Sequence, residues 1–154
     1  MPHIRRCSRG DLPAVADLFR QHWPRGEARE SRLHDAFERG LASPRQRYVC
    51  AELDSRVVGF AALTLNHSLR HGGPVGRLDE LVVDRNHSFH GIATLIIHSV
   101  EELAASVGCS RLELDSAFHR KDEHAFYEQR KYERRALVFS KELSDGARFT
   151  TRGL

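Results

Sequence analysis

The apolar positions of this chain switch between two periods, and the switches mark its elements. Residues 3–7 read as a short strand. Ser8 follows as a cap, with Asp11 in a capping-box place, ahead of Leu12, Val15, Ala16, Leu18 and Phe19 at helical spacing. Residues 29–41 predict a second helix with Leu33, Phe37 and Leu41 on one side, ended by Gly40, Ser43 and Pro44. Two β-rich runs, 48–53 and 57–65, flank Asp54-Ser55-Arg56 and predict a hairpin. Residues 67–74, with two glycines and a proline, read as a loop. The next strand, 77–84, holds Leu81-Val82-Val83 as an unbroken apolar core, the pattern of a strand covered on both faces. A helix over 91–107 carries Ile92, Leu95, Ile96, Val100, Leu103 and Val107 at helical spacing and stops at Gly108. A strand at 111–115, a helix at 122–130 and a final strand at 136–143 complete the pattern, and residues 144–154 read as a weakly structured tail or a last strand.

The order β-α-α-β-β-β-α-β-α-β predicts an α/β (α+β) protein with a central mixed sheet and helices on both faces. No Ser/Gly/Pro-rich stretch divides the chain and no repeat is present, so residues 1–154 are expected to form one domain. No window approaches 18 uncharged apolar residues, and Met1-Pro2-His3-Ile4-Arg5-Arg6 lacks an apolar signal core, so a cytoplasmic protein without a membrane partner is expected. The net charge of +3 is spread rather than clustered. That suits an anionic ligand and not nucleic acid, which calls for a basic stripe interleaved with aromatics. Cys7, Cys50 and Cys109, an odd count at wide spacings, are expected as buried free thiols. His67 and His71 lie four apart in a loop, without a zinc-site spacing, and no metal is expected.

The chemically suggestive segment is 79–97, a strand, a polar loop and a helix opening on glycine. A helix start carries about four unpaired N–H donors and the positive end of a dipole, which together hold a phosphate. Three segments around it resemble the GCN5-related N-acetyltransferase (GNAT) family. They are Leu78-Asp79-Glu80-Leu81-Val82-Val83-Asp84, then Gly91-Ile92-Ala93 with its amphipathic helix and Gly108-Cys109, then Ala125-Phe126-Tyr127-Glu128. The likeness covers residues 3–143. Within it, Leu69, His71, Glu80, Arg120, Asp122, His124, Phe126 and Tyr127, with Phe139, Lys141 and Leu143, resemble the aminoalkylphosphonate N-acetyltransferase branch.

The resemblance implies the acyl-CoA N-acyltransferase fold, acetyl-CoA as cosubstrate and direct acetyl transfer to a primary amine of a small molecule. It implies that Leu81, Val82 and Val83 offer backbone groups to the pantetheine arm. Ser88, Phe89, His90, Gly91, Ile92, Ala93 and Thr94 form the pyrophosphate loop, with Arg120 and Phe126 further contacts to the cosubstrate. Glu80 is the implied general base, and Tyr127 the group that meets the leaving thiolate. Adjacent strand residues face opposite ways, so Asp79 is not expected to share the role of Glu80. Trp23 and His71 are the expected acceptor-side residues, and a homodimer is one expected assembly.

Two departures stand out. Ser88 and Phe89 occupy places where the family commonly has Arg or Gln and a glycine, which removes a charge-assisted contact of about 1–3 kcal/mol. Lys131 occupies the place of a helix-ending glycine, at a cost of about 1 kcal/mol. The altered loop leaves two other expectations open: a protein lysine or N-terminal acetyltransferase, and a non-catalytic binding module of the same fold.

Overall fold

The structure, a computed structural model, describes residues 1–25, 30–88 and 91–143. The chain divides into two compact units, Met1–Leu114 and Asp115–Leu154.

The first unit is built on a five-stranded sheet in the order β1-β2-β3-β4-β5. Its strands are β1 (His3–Arg6), β2 (Gln46–Leu53), β3 (Arg56–Ser68), β4 (Gly73–Val83) and β5 (Leu112–Glu113). Strands β1 to β4 are antiparallel to their neighbours, and β5 is parallel to β4. The sheet is therefore mixed, as the element order predicts. Leu53 pairs with Arg56 across a two-residue turn in which Asp54 has φ +49° and Ser55 has φ +61°. Two positive values are the signature of a type I′ turn, whose twist matches that of the strands it joins.

Helices cover both faces. Helices α1 (Leu12–His22) and α2 (Glu30–Ala42) lie over one face, where Val15, Leu18 and Phe37 join Cys50, Phe60, Ala62 and Val82 in one buried cluster. Helix α3 (Ile92–Ser106) lies on the other face. There Gly59 leaves room for Ile92 and Ile96, since a Cβ on it would stand 2.7 Å from Ile96 Cδ1. Tyr48 fills the α2 side, stacked on Phe37 at 5.5 Å and edge-on to Phe60 at 5.5 Å. Its hydroxyl passes under α2 at Gly40, where a Cβ would lie 1.9 Å from it.

Strand β1 is fastened to the start of α1 by charge. Arg5 donates to both carboxylate oxygens of Asp11, at 2.9 and 2.8 Å, and to Glu52 at 2.6 Å. The backbone N–H of Ser8 also donates to Asp11, at 2.7 Å. Arg5, with the Ser8 bonds beside it, holds the buried Asp11 carboxyl at about 2 although burial alone would raise it.

Three expectations are corrected. Cys7 and Cys50 are not free thiols but a disulfide, with Cα atoms 5.6 Å apart. The register of β1 on β2 brings them together across 43 residues of sequence, while Cys109 stays free. Asp11 lies close to this pair, but its carboxylate is taken up by Arg5. The expected 67–74 loop shrinks to 69–72, because His67 pairs with Pro74 and Ser68 with Gly73, and Gly72 at φ +68° makes the turn.

The third correction lies in the second unit, whose helix is α4 (Lys121–Gln129). It ends in a Schellman closure, with Tyr132 N–H donating to Tyr127 O and Lys131 N–H to Glu128 O, both at 3.0 Å. Lys131 sits in the left-handed region at φ +68°, as its place predicts. The expected strand at 136–143 forms no helix or strand and has no strand partner among the described residues. Local β-propensity is present there, but a strand exists only where an edge receives it. The tail at 144–154 lies outside the described residues.

Two substitutions test this packing. Asp11→Asn removes a carboxylate whose acidity is raised by folding. Its stabilisation is complete above about pH 4 and is lost as pH falls towards about 2. Urea unfolding of the variant should show a deficit of about 2 kcal/mol at pH 7 that closes in acid. Gly40→Ala forces the Tyr48 ring from its slot and should cost about 1–3 kcal/mol in the same assay. An unchanged midpoint would mean that α2 shifts freely over Tyr48.

Candidate active site

Strand β4 is bonded unequally on its two sides. Against β3 it pairs from Gly73 to Val83. Against β5 it pairs only at Gly76 and Arg77. Past Arg77 no strand among the described residues continues that side. Asp84 N–H donates to Val58 O at 2.8 Å. In an antiparallel ladder the bonded groups alternate, so Val82 also turns its backbone to β3, while Leu81 and Val83 turn theirs to the open side. Of the three residues expected to meet the pantetheine arm, Leu81 and Val83 have backbone groups aimed outward. Val82 is 1% exposed and belongs to the core.

The open edge leads into the expected phosphate loop. Asp84 is buried, and a short helical turn at Arg85–His87 follows it. Burial pushes the Asp84 carboxyl up, but the N–H of Asn86 and the ring of His87 outweigh that and leave it below the ordinary range. Ser88 closes this turn, exposed, with its hydroxyl donating to Arg85 O at 3.1 Å. Phe89 and His90 lie outside the described residues. Gly91 takes φ +67° ahead of α3, with open space where a Cβ would be. Leu95 N–H is bonded back to Gly91 O at 3.0 Å, so Ile92 and Ala93 are in the opening turn whose N–H groups have no acceptor within the helix. The Ile92 side chain is fully buried against the sheet, and Ala93 and Thr94 are half-buried in the same turn.

Glu80 stands half-buried on β4, in register with Ala62 of β3 and through it with Tyr48 of β2. It therefore belongs to the α1/α2 side of the sheet. The pairing jumps from Ala62–Glu80 to Leu63–Leu78, which leaves Asp79 as a bulge residue. The bulge changes the expectation of opposite faces. Burial raises the Tyr48 phenol, and the charges of Asp79 and Glu80 both add to the shift, so both carboxylates reach the same hydroxyl electrostatically. Asp79 is itself occupied, accepting from Thr64 and paired with Arg77. Tyr48 is the site residue that sequence reasoning missed. Its parity with Cys50 was visible, but its place beside Glu80 depends on a register across three strands.

Trp23 caps the end of α1, 37% exposed and edge-on to Phe19 at 5.5 Å. Phe37 is core. His71 lies in the β3–β4 turn with both ring nitrogens engaged, Nδ1 with Ser68 Oγ at 2.9 Å and Nε2 with Arg111 at 3.3 Å. Arg111 can only donate, so the His71 proton is on Nδ1 and points at Ser68. The ring cannot accept a proton from that serine, and the pair holds the turn closed.

In the second unit, Tyr127 is half-buried on α4, edge-on to Phe126 at 5.2 Å and to Tyr132 at 5.6 Å. Burial, with the Glu123 charge added, pushes its phenol up to about 12. Arg130 stacks 3.6 Å above the Phe126 ring. Arg120 opens α4 and donates to Glu123 at 3.0 Å. His124 is turned to Ala117 O at 2.9 Å, a packing contact.

Comparison with known proteins agrees with this geometry. The sequence matches the Acetyltransferase (GNAT) family over residues 12–132, across both units. A stretch of 69 residues is 32% identical to glucosamine 6-phosphate N-acetyltransferase of Trypanosoma brucei brucei, covering 44% of this chain and 47% of that protein. The chain thus spans about half the length of the curated relative it matches. Among solved structures, a transcriptional regulator from Bacillus halodurans C-125 superposes with a TM-score of 0.87 at 19% identity, over 93% of this chain and all of that one. Aminoglycoside N-acetyltransferase AAC(6')-Iy, solved in complex with CoA, superposes with a TM-score of 0.81 at 20% identity, over 92% of this chain and 95% of the other. At such identities these likenesses speak for the fold alone, but the family match runs over most of the sequence, and the chain belongs to the acetyltransferase (GNAT) family.

Proposed function

We propose that this protein transfers an acetyl group from acetyl-CoA directly to a primary amine of a small molecule, as one catalytic domain spanning residues 1–154. The observation that carries the reading is the half-open edge of β4, running towards a helix that opens on a left-handed glycine. An extended arm with amide groups can join such an edge as an added strand. The helix opening presents N–H donors to the phosphates that follow. These groups fit acetyl-CoA, and they fit it through backbone, at Leu81, Val83 and the opening turn from Gly91.

The remaining roles follow from position and acidity. Glu80 takes the proton that the ammonium must lose, directly or through water, so that the amine nitrogen can attack the thioester carbon. The C–N bond forms, the C–S bond breaks, and the thiol sulfur leaves with the electron pair. Tyr127 serves that sulfur as a hydrogen-bond donor rather than as a full acid. A phenol at about 12 lies well above an ordinary thiol near 8.5, so complete transfer of its proton runs uphill. Trp23, beyond the aromatic floor of Phe19 and Phe60, borders the acceptor side. The proposed setting is the cytoplasm, although the Cys7–Cys50 disulfide is a bond more usual in oxidising compartments. Among the described residues no helix is long and apolar enough to cross a membrane.

A second copy of the chain is proposed as partner. Leu137, Val138, Phe139 and Leu143 are 59–88% exposed in a β-rich segment without a strand partner among the described residues. A copy that pairs with this segment would bury those side chains and satisfy its backbone together.

Calorimetric titration with acetyl-CoA should show binding at micromolar strength, and absence of heat at millimolar ligand from folded protein would reject the reading. Tyr127→Phe should lower kcat by about 10- to 100-fold, the worth of one hydrogen bond to a charged atom, with acetyl-CoA affinity nearly unchanged. Equal turnover would remove Tyr127 from the reaction. Sedimentation should give a dimer that the double substitution Leu137→Asp and Phe139→Asp converts to monomer. A monomeric parent protein would dismiss the second copy.

A further inference from the structure

The open edge of β4 is not bare at its end. His22, the last residue of α1, places Nε2 2.9 Å from Val83 O. A carbonyl only accepts, so Nε2 carries the proton and donates it. Val83 is one of the two residues whose backbone turns away from β3, so the imidazole holds an acceptor of the open side. The neighbouring residue holds a backbone donor two residues further on. Gln21 Oε1 accepts from the backbone N–H of Arg85 at 3.0 Å. Consecutive residues at the end of α1 thus grip β4 and the chain leaving it on either side of Asp84.

An arm laid along this edge as an added strand would aim an amide N–H at the outward carbonyls. Its nitrogen would stand about 2.9 Å from the oxygen it meets, the distance at which the His22 nitrogen already stands from Val83 O. We propose that His22 is a gating residue for the cosubstrate. Its imidazole occupies Val83 O in the free protein and must yield that oxygen when the pantetheine arm arrives. Trp23 follows His22 directly, with ring centroids 6.0 Å apart. Release of His22 therefore moves the residue that borders the acceptor side, and arrival of the cosubstrate is reported to the acceptor side through the end of α1.

This inference rests on the proposed acetyl-CoA site, and the experiment separates the two. Desulfo-coenzyme A, which has the arm but no reactive thiol, and adenosine 3′,5′-bisphosphate, which lacks the arm, are titrated into the protein, His22→Ala and His22→Gln. Binding is read by calorimetry and by the emission of Trp23, the single tryptophan of the chain. His22→Ala should bind desulfo-coenzyme A about five-fold more tightly, the fold-change for one neutral hydrogen bond that no longer has to be broken. Adenosine 3′,5′-bisphosphate should not distinguish the proteins. His22→Gln, whose amide can donate to the same carbonyl, should keep the parent affinity. Trp23 emission should shift with desulfo-coenzyme A in the parent protein and stay still in His22→Ala. Equal or weaker binding of desulfo-coenzyme A by His22→Ala, or an unmoved Trp23 in the parent, overturns the gate while the cosubstrate site stands. No binding of desulfo-coenzyme A by the folded parent protein at millimolar concentration overturns both.

Discussion

The structure of the first unit turns on an inequality in the bonding of β4. One side is bound to β3 for the length of the strand, and the other touches β5 at two residues. The contact is close because Gly76 has no side chain. A Cβ there would lie 3.1 Å from Leu112 and 3.3 Å from Ala104. Beyond it the strand carries its bulge at Asp79, and a bulge bends its own strand and increases the local twist. The parallel crossover through α3 draws β5 in at Gly76, and the bend lets the sheet open a few residues later. Backbone groups exposed by such an opening must find water or a ligand. In the proposed reading the ligand is the cosubstrate, because the opened strand leads on to the start of α3.

The face below α1 and α2 has the opposite character. Phe19, Phe37, Tyr48 and Phe60 pack ring against ring, so the interior of that face holds little that could do chemistry. Polarity enters at the rim, through Glu80, Asp79 and the Tyr48 hydroxyl. A carboxylate at the edge of an aromatic floor keeps access to water for proton exchange, while the floor below it is dry. Asp79 contributes charge without being available as a base, because Thr64 and Arg77 already hold it. Glu80 stands beside it on the same rim, half-buried and in register with Ala62.

What the sequence disclosed and what it hid follow from range. Helical spacing at Leu12 to Phe19 and at Ile92 to Val107, and the hairpin at Asp54 and Ser55, depend on neighbours within a turn or two. The structure has all three. The Cys7–Cys50 pairing, the place of Tyr48 beside Glu80 and the contact of His22 with Val83 depend on register between strands far apart in sequence, which no local pattern encodes. The segment 136–143 shows the converse case. Its composition reads as a strand, but a strand is a relation between two segments, and composition describes one of them. The bulge at Asp79 is the sharpest instance within the site. One extra residue cancels the alternation from which the separate faces of Asp79 and Glu80 were inferred.

The departures from the family pattern can be weighed in the same terms. Ser88 and Phe89 alter side chains, whereas phosphate recognition at a helix start uses backbone N–H groups. The position that requires a left-handed backbone, Gly91, still has a glycine at φ +67°. Lys131 is the harder substitution, since a side chain must enter the left-handed region. It does so, and the two Schellman bonds to Tyr127 and Glu128 form around it. Those bonds offset the cost of about 1 kcal/mol and hold the end of the helix on which Tyr127 is carried. At Lys131 the chain gives up a favourable residue and keeps the backbone geometry, and at Gly91 it keeps both.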